Sequence, residues 1–123
     1  MQNSNFDFDY RKATQALNYL AEKAGGKINR MKALKLIYLA DRYHLRKYGR
    51  LVTNDTYFAM DNGPVASGVK DIAEESYFAG KEAQNYASNY IATFSLYDFI
   101  SKKPTEKVEF SDSDIEALNY AWD

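Results

Sequence analysis

Few side chains in this sequence offer chemistry. His44 is the only histidine among 123 residues, and there is no cysteine. A zinc site would have to be built from one imidazole and three carboxylates, an improbable set for that ion. No metal and no cofactor are expected. His44 stands alone, with no partner motif for acid–base or nucleophilic work, so a packing or surface role is expected of it. Gly63-Pro64 lacks the further glycines and the following Lys-Ser/Thr of a phosphate-cradling loop. The acid pairs Glu74-Glu75 and Asp112/Asp114 fit solvated helix ends. This inventory points away from an enzyme.

Two features of residues 29–50 stand out from it. Asp41 falls on an apolar stripe between Tyr38 and Leu45, where a carboxylate must find partners or bear a large desolvation cost. The backbone N–H groups of the turn Asn62-Gly63-Pro64 could meet it, and so could an arginine such as Arg50. A structural role is the expectation, since buried paired charges are mostly architectural. Lys32, Lys35, Arg42 and Arg46 form a second stripe, broken only by Leu39. It can be a solvated face or a row that tracks phosphates. The short turn and second helix of a helix-turn-helix reader are absent, and the net charge is −1, so nucleic acid is not the expected partner.

These residues need a helix to position them, and the spacing supplies one from Asn29 to Arg50. Asn29 can cap it, Gly49 can stop it, and neither proline nor glycine interrupts it. Met31, Leu34, Tyr38, Leu45 and Tyr48 define one face, which Ala33, Leu36, Ile37 and Ala40 widen. The apolar run Leu36–Ala40 predicts a central helix covered on most sides. Before it, Asp7 or Asp9 can cap a helix reaching about Lys23, with Tyr10, Ala13, Leu17, Leu20, Ala21 and Ala24 on its apolar face and Gly25-Gly26 ending it. A link of a few residues makes the two helices neighbours.

After Gly49 the pattern changes. Thr56–Met60 is short and β-prone, and Asp61-Asn62-Gly63-Pro64 is a breaker. Pro64 suits the first turn of a third helix with Val65, Val69, Ile72 and Ser76 inward. Lys81–Asn89 reads as a loop. Tyr90–Tyr97 alternates as a strand, Lys102-Lys103-Pro104 as a turn, and Val108 and Phe110 as the returning strand. Ser111 with Asp114, or Ser113 with Glu116, can form a capping box opening a last helix whose face is Ile115, Leu118 and Trp122.

Composition bounds the rest. The length suits one domain, residues 1–123. Eleven Tyr, seven Phe and one Trp provide apolar mass, much of it able to sit half-buried or at an interface. The absence of cysteine makes a cytoplasmic setting the default. Met1–Asp9 has neither the basic start nor the apolar run of a signal peptide, and no stretch reaches membrane-span length. Residues 27–50 hold eight Lys/Arg against one acid, whereas residues 71–123 hold four against eleven. The chain is thus a charge dipole in sequence.

One run of residues resembles a known family. Met31-Lys32-Ala33-Leu34-Lys35-Leu36-Ile37-Tyr38-Leu39-Ala40-Asp41, then Tyr48-Gly49-Arg50-Leu51, is similar to the Panacea domain, the SocA-like antitoxin domain of bacterial and phage proteins. The likeness continues through Asp55–Met60 and Asn62-Gly63-Pro64-Val65, and resumes at Val108–Ser111 and Asp114–Leu118. It implies a mostly helical domain with a small β element. It also implies an antitoxin that neutralises a toxin by direct binding, in SocA as an adaptor delivering the toxin to a protease. Two departures are visible. The family usually has an aromatic residue near Met60, and it carries a further helical segment beyond the helix starting at Ser111, so a partner surface on that segment cannot be carried over.

The expectation is a single α+β, mainly helical domain of about four helices with a small antiparallel β-hairpin. Its partner is a cognate toxin, with a protease as a further partner in the adaptor version. The binding face is expected at Lys35, Arg42 and Arg46 with the rim around Tyr57 and Asn62. Asp41, Gly63 and Pro64 are the structural motif. The acidic half, Asp98–Asp123, is the alternative contact surface. Rival functions are a DNA-binding regulator and a phage protein that blocks a host defence factor.

Overall fold

A computed structural model describes residues 7–61 and 63–123. Helix α1, Tyr10–Lys23, starts at Asp9, whose carboxylate accepts from the Lys12 N–H at 2.9 Å. Every residue from Ala13 to Ala21 is buried. This helix packs against the other four helices and against all three strands of the larger sheet. The centre of the fold is therefore α1, and the helix at 30–48 has an open side. The sequence points the other way because α1 buries Thr14, Gln15 and Asn18, polar residues that periodicity assigns to solvent. Two of them are occupied: Gln15 donates to the Tyr86 hydroxyl and accepts from the Glu106 N–H, and Asn18 donates to the Lys103 carbonyl.

Gly25 and Gly26, at φ +94° and +111°, turn the chain out of α1. The next three residues form a strand, β1 (Lys27–Asn29), and not a bare link. Helix α2, Arg30–Tyr48, opens on the Asn29 side chain and closes at Gly49, which takes the left-handed conformation at φ 83°. Its buried side is Ala33, Leu34, Leu36, Ile37, Ala40, Asp41 and His44. Met31, Leu45 and Tyr48, expected inward, are 45, 51 and 43% exposed. The stripe is rotated from the expected one because Asp41 and His44 find polar partners inside and take the inward positions.

Strands β2 (Tyr57–Met60) and β3 (Gly63–Ala66) form an antiparallel hairpin. Pro64 thus lies in β3 and not in the first turn of a helix. The Ser67 N–H bonds the Thr56 carbonyl, and alternation from there leaves Pro64 opposite Ala59 in a pair without ladder bonds. Its missing N–H costs nothing there either. Helix α3 is short, Ser67–Ala73, and ends well before Gly80. Ala66 supplies no side-chain cap. Asp55 does so from across the fold, accepting from the Gly68 and Val69 N–H groups at 2.9 Å each.

The predicted loop 81–89 contains a helix, α4 (Lys81–Ala87), which buries only Ala83 and Ala87. It is the helix that raises the expected four to five. Strand β4 (Ile91–Thr93) pairs with β5 (Asp98–Ser101), and β5 pairs on its other edge with β1. The returning strand is thus Asp98–Ser101. Val108 falls in a 3-10 turn, Lys107–Glu109, and Phe110 just after it. A shorter return brings Phe99 into the core at 1% exposure, and Val108 stays 85% exposed. Helix α5, Asp112–Trp122, begins with the Ser111–Asp114 capping box. Its buried residues are Asp114, Ala117, Leu118 and Ala121. The whole is an α+β domain, mainly helical, with two small antiparallel sheets.

Candidate partner-binding surface

The open side of α2 carries Lys35, Arg42 and Arg46, all exposed, around Leu39. None of these three cations makes an ion pair among the described residues. Leu39, Arg42, Tyr43, Arg46, Lys47 and Tyr120 line a groove of about 390 Å³ between α2 and α5. The Tyr43 and Tyr120 rings stack there at 4.3 Å, and Lys32 lies 5.2 Å from the Trp122 ring centre. Lys47 differs from its neighbours. It bonds Glu116 at 2.6 Å, and Tyr48 donates to the same carboxylate at 2.5 Å. A third donor, Tyr43, completes the set. The hydrogen bonds from Lys47, Tyr43 and Tyr48 pull the Glu116 carboxyl down to about 2 and hold the Lys47 ammonium above its ordinary range.

Tyr57, Gly63 and Pro64 lie on the hairpin. Tyr57 is half-buried, and its hydroxyl donates to Asp41 Oδ2 at 2.6 Å. Its ring stands edge-on to Tyr38 at 5.9 Å, which joins the hairpin to the open side of α2. Asn62 lies outside the described residues. Gly63 has φ +113°, a conformation that favours glycine, at the start of β3.

Asp41 is 1% exposed. Its other oxygen accepts from the Val52 N–H at 2.8 Å. Arg50, suggested by sequence as a partner, goes instead to Asp114. Burial, with no cation beside it among the described residues, raises the Asp41 carboxyl to about 6, although its two hydrogen bonds work the other way. The same burial, with Asp41 beside it, pushes the Tyr57 hydroxyl well above its usual range.

Spacing offered no sign of a second polar cluster. Asp114, 0% exposed, receives Lys12 Nζ at 2.8 Å and the Ser111 N–H at 2.9 Å. Arg50 Nη1 lies 3.1 Å from Oδ1, close enough for charge attraction though off-angle for a hydrogen bond. Burial works to raise this carboxyl, but Lys12, the Ser111 N–H and Arg50 together outweigh it and lower it. His44 completes the cluster. Its Nδ1 is 2.8 Å from the Arg50 carbonyl and its Nε2 is 2.8 Å from Ser113 Oγ. A carbonyl only accepts, so Nδ1 carries a proton and, in the neutral ring, Nε2 accepts from Ser113. His44 is a buried tie between α2, the segment after it and α5.

A further groove, of about 420 Å³, opens where the start of α2 meets the hairpin and the β4–β5 turn. Met31, Leu34, Met60, Val65 and Tyr97 form much of its wall. Sequence reasoning missed it, because it turned Met31 inward and gave Met60 no role.

The fold and these surfaces meet one family description. The family model for the antitoxin SocA-like, Panacea domain matches residues 34–123. The chain belongs to that family of antitoxin-like domains. Searches of curated proteins and of solved structures give no match. No helix among the described residues is long and apolar enough to cross a membrane.

Proposed function

We propose that this protein is an antitoxin that neutralises a cognate toxin by binding it directly, without catalysis of its own. The family match over residues 34–123 carries the reading. The open face of α2 supports it, because three cations around Leu39 that have no ion pair among the described residues, beside the Tyr43–Tyr120 stack, suit an acidic protein surface. The toxin is bound in the cytoplasm, and the contact surface is Lys35, Arg42 and Arg46 with the adjoining rim at Tyr57. Delivery of the bound toxin to a protease is the adaptor version of the same binding.

Co-expression in bacteria with the product of the adjacent gene tests the reading. Restored growth and co-purification of the two chains are expected. A folded, soluble protein that neither rescues growth nor retains the neighbour would overturn it. Measuring toxin half-life with and without the host's ATP-dependent proteases separates sequestration from delivery. Rescue that survives their deletion means sequestration. Salt-dependent retention of duplex DNA in place of the neighbour would favour a DNA-binding regulator.

A further inference from the structure

The open side of α2 alternates two kinds of row. Lys35, Arg42 and Arg46 form one, and Met31, Tyr38 and Leu45 run beside it, since residues seven apart share a helix face. Met31 and Leu45 are 45 and 51% exposed. At 1.5 Å per residue the apolar row extends for about 21 Å, close to four helical turns. Its first end opens into the groove of about 420 Å³ at Met31, Met60 and Tyr97. Both methionines of the described residues thus meet at one site. Unbranched thioether side chains repack around varied shapes, as methionine-lined recognition grooves do.

The charges around the groove balance one another. Glu74 is 3.0 Å from Lys70 and 4.0 Å from Arg30. Lys35, Arg42 and Arg46, further along α2, have no such partners among the described residues. An occupant must therefore bring apolar side chains to one end and negative charge along the rest. A helix with apolar residues at i, i+3, i+4 and i+7 and acids on its flank meets both demands over four turns. A nucleic-acid duplex meets the cations and leaves the methionine groove empty.

We propose that this face receives an acidic amphipathic helix of the partner. An apolar anchor enters the Met31–Met60–Tyr97 groove, and carboxylates lie on Lys35, Arg42 and Arg46. The proposal rests on the direct-binding reading above and specifies the chemistry of what is bound.

The test uses the full chain with ¹³C-methyl methionine and needs no toxin. The probe is a synthetic helical peptide of about four turns, with Leu at helical spacing and Glu on the flanks. Its controls are a scrambled peptide of the same composition and a short DNA duplex. The Met31 and Met60 methyl resonances should move to saturation with the amphipathic peptide alone. Affinity should fall at least ~10-fold in R42E/R46E and in Met60→Glu, the loss expected when a charge contact or an anchor is removed, while circular dichroism stays unchanged. Three results would overturn the proposal: methyls that stay still at saturating peptide, equal shifts with the scrambled peptide, or DNA that binds the cation row and displaces the peptide. Peptide binding without rescue by any neighbouring gene product supports the helix site and removes the antitoxin reading. Full rescue by R42E/R46E and by Met60→Glu keeps the antitoxin reading and removes the helix site.

Discussion

Asp41 and Asp114 occupy two seams of the molecule, and each is buried. Asp41 joins α2 to the segment at Val52 and to the β2–β3 hairpin, and among the described residues its donors are all neutral. Asp114 joins α5 to α1 and to the segment just after α2 through Lys12 and Arg50. One carboxyl is raised to about 6 and the other is lowered. Burial opposes the charge in both, so the sign of the shift is set by whether a cation shares the site. The α5 seam is an ionic lock. The hairpin seam is a hydrogen-bonded joint around a charge held at some cost, and it borders the proposed binding face.

Removing each carboxylate tests that contrast, and the largest effect belongs at Asp114. Asp114→Ala strands Lys12 and undoes the capping box of α5. It should destabilise by about 3–4 kcal/mol in urea melts, near the lower end for a broken buried pair because Arg50 can turn to water. A loss below about 1 kcal/mol would mean that the α5 seam is held by packing alone.

At Asp41 the sign with pH is the sharper test. Its folded value of about 6 lies above the ordinary carboxyl value of 3.8, so the native state binds the proton more tightly. Its contribution is most favourable below about pH 4, declines as pH rises toward 6, and is flat above that. Asn at this position can accept from Val52 and donate to the Tyr57 oxygen without a charge. Between pH 4 and 7 the stability of wild type relative to Asp41→Asn should therefore fall by about 2 kcal/mol. Asp114 contributes with the opposite slope. Its stabilisation is present above the unfolded carboxylate range and is lost as pH falls through its lowered folded value. A wild type that gains stability relative to Asp41→Asn as pH rises would reverse the assignment.

Smaller effects grade the hairpin seam. Asp41→Ala leaves the Val52 N–H and the Tyr57 hydroxyl unpaired and should cost about 2 kcal/mol at pH 7. Tyr57→Phe removes one donor, should cost about 1 kcal/mol, and should move the Asp41 titration still higher by NMR. Smallest of all is Glu116→Gln on the exposed seam between α2 and α5. Its hydrogen bonds are many but wet, so its melting temperature should stay within the scatter of wild type. A clear loss there would make the exposed cluster a third lock.

Much of the α2 face was legible in advance. Lys35, Arg42 and Arg46 are exposed because their spacing places them opposite Ala33, Ile37 and Ala40, and that geometry is local. The methionine groove was not legible, because Met31 and Met60 become neighbours only when the hairpin folds onto α2. Asp41 was readable as a buried carboxylate on an apolar stripe. Its partners were not, since a fixed spacing cannot say whether Arg50 turns toward it or toward Asp114.

Local sequence is enough to set where the main helices begin and end. Asp9, Asn29 and Ser111 each satisfy an N–H within one turn, and Gly49 closes α2 because it alone among its neighbours tolerates φ 83°. Those energies depend on residues three or four positions apart, so no knowledge of the rest of the chain is required. Long-range packing settles the pairing of β5 with both β1 and β4, the strand conformation at Pro64, the Asp55 cap on α3, the helix at Lys81–Ala87 and the partners of both buried aspartates. Each of these competes against a local alternative of similar energy. The balance is tipped by burial and hydrogen bonds that exist only once distant segments have met.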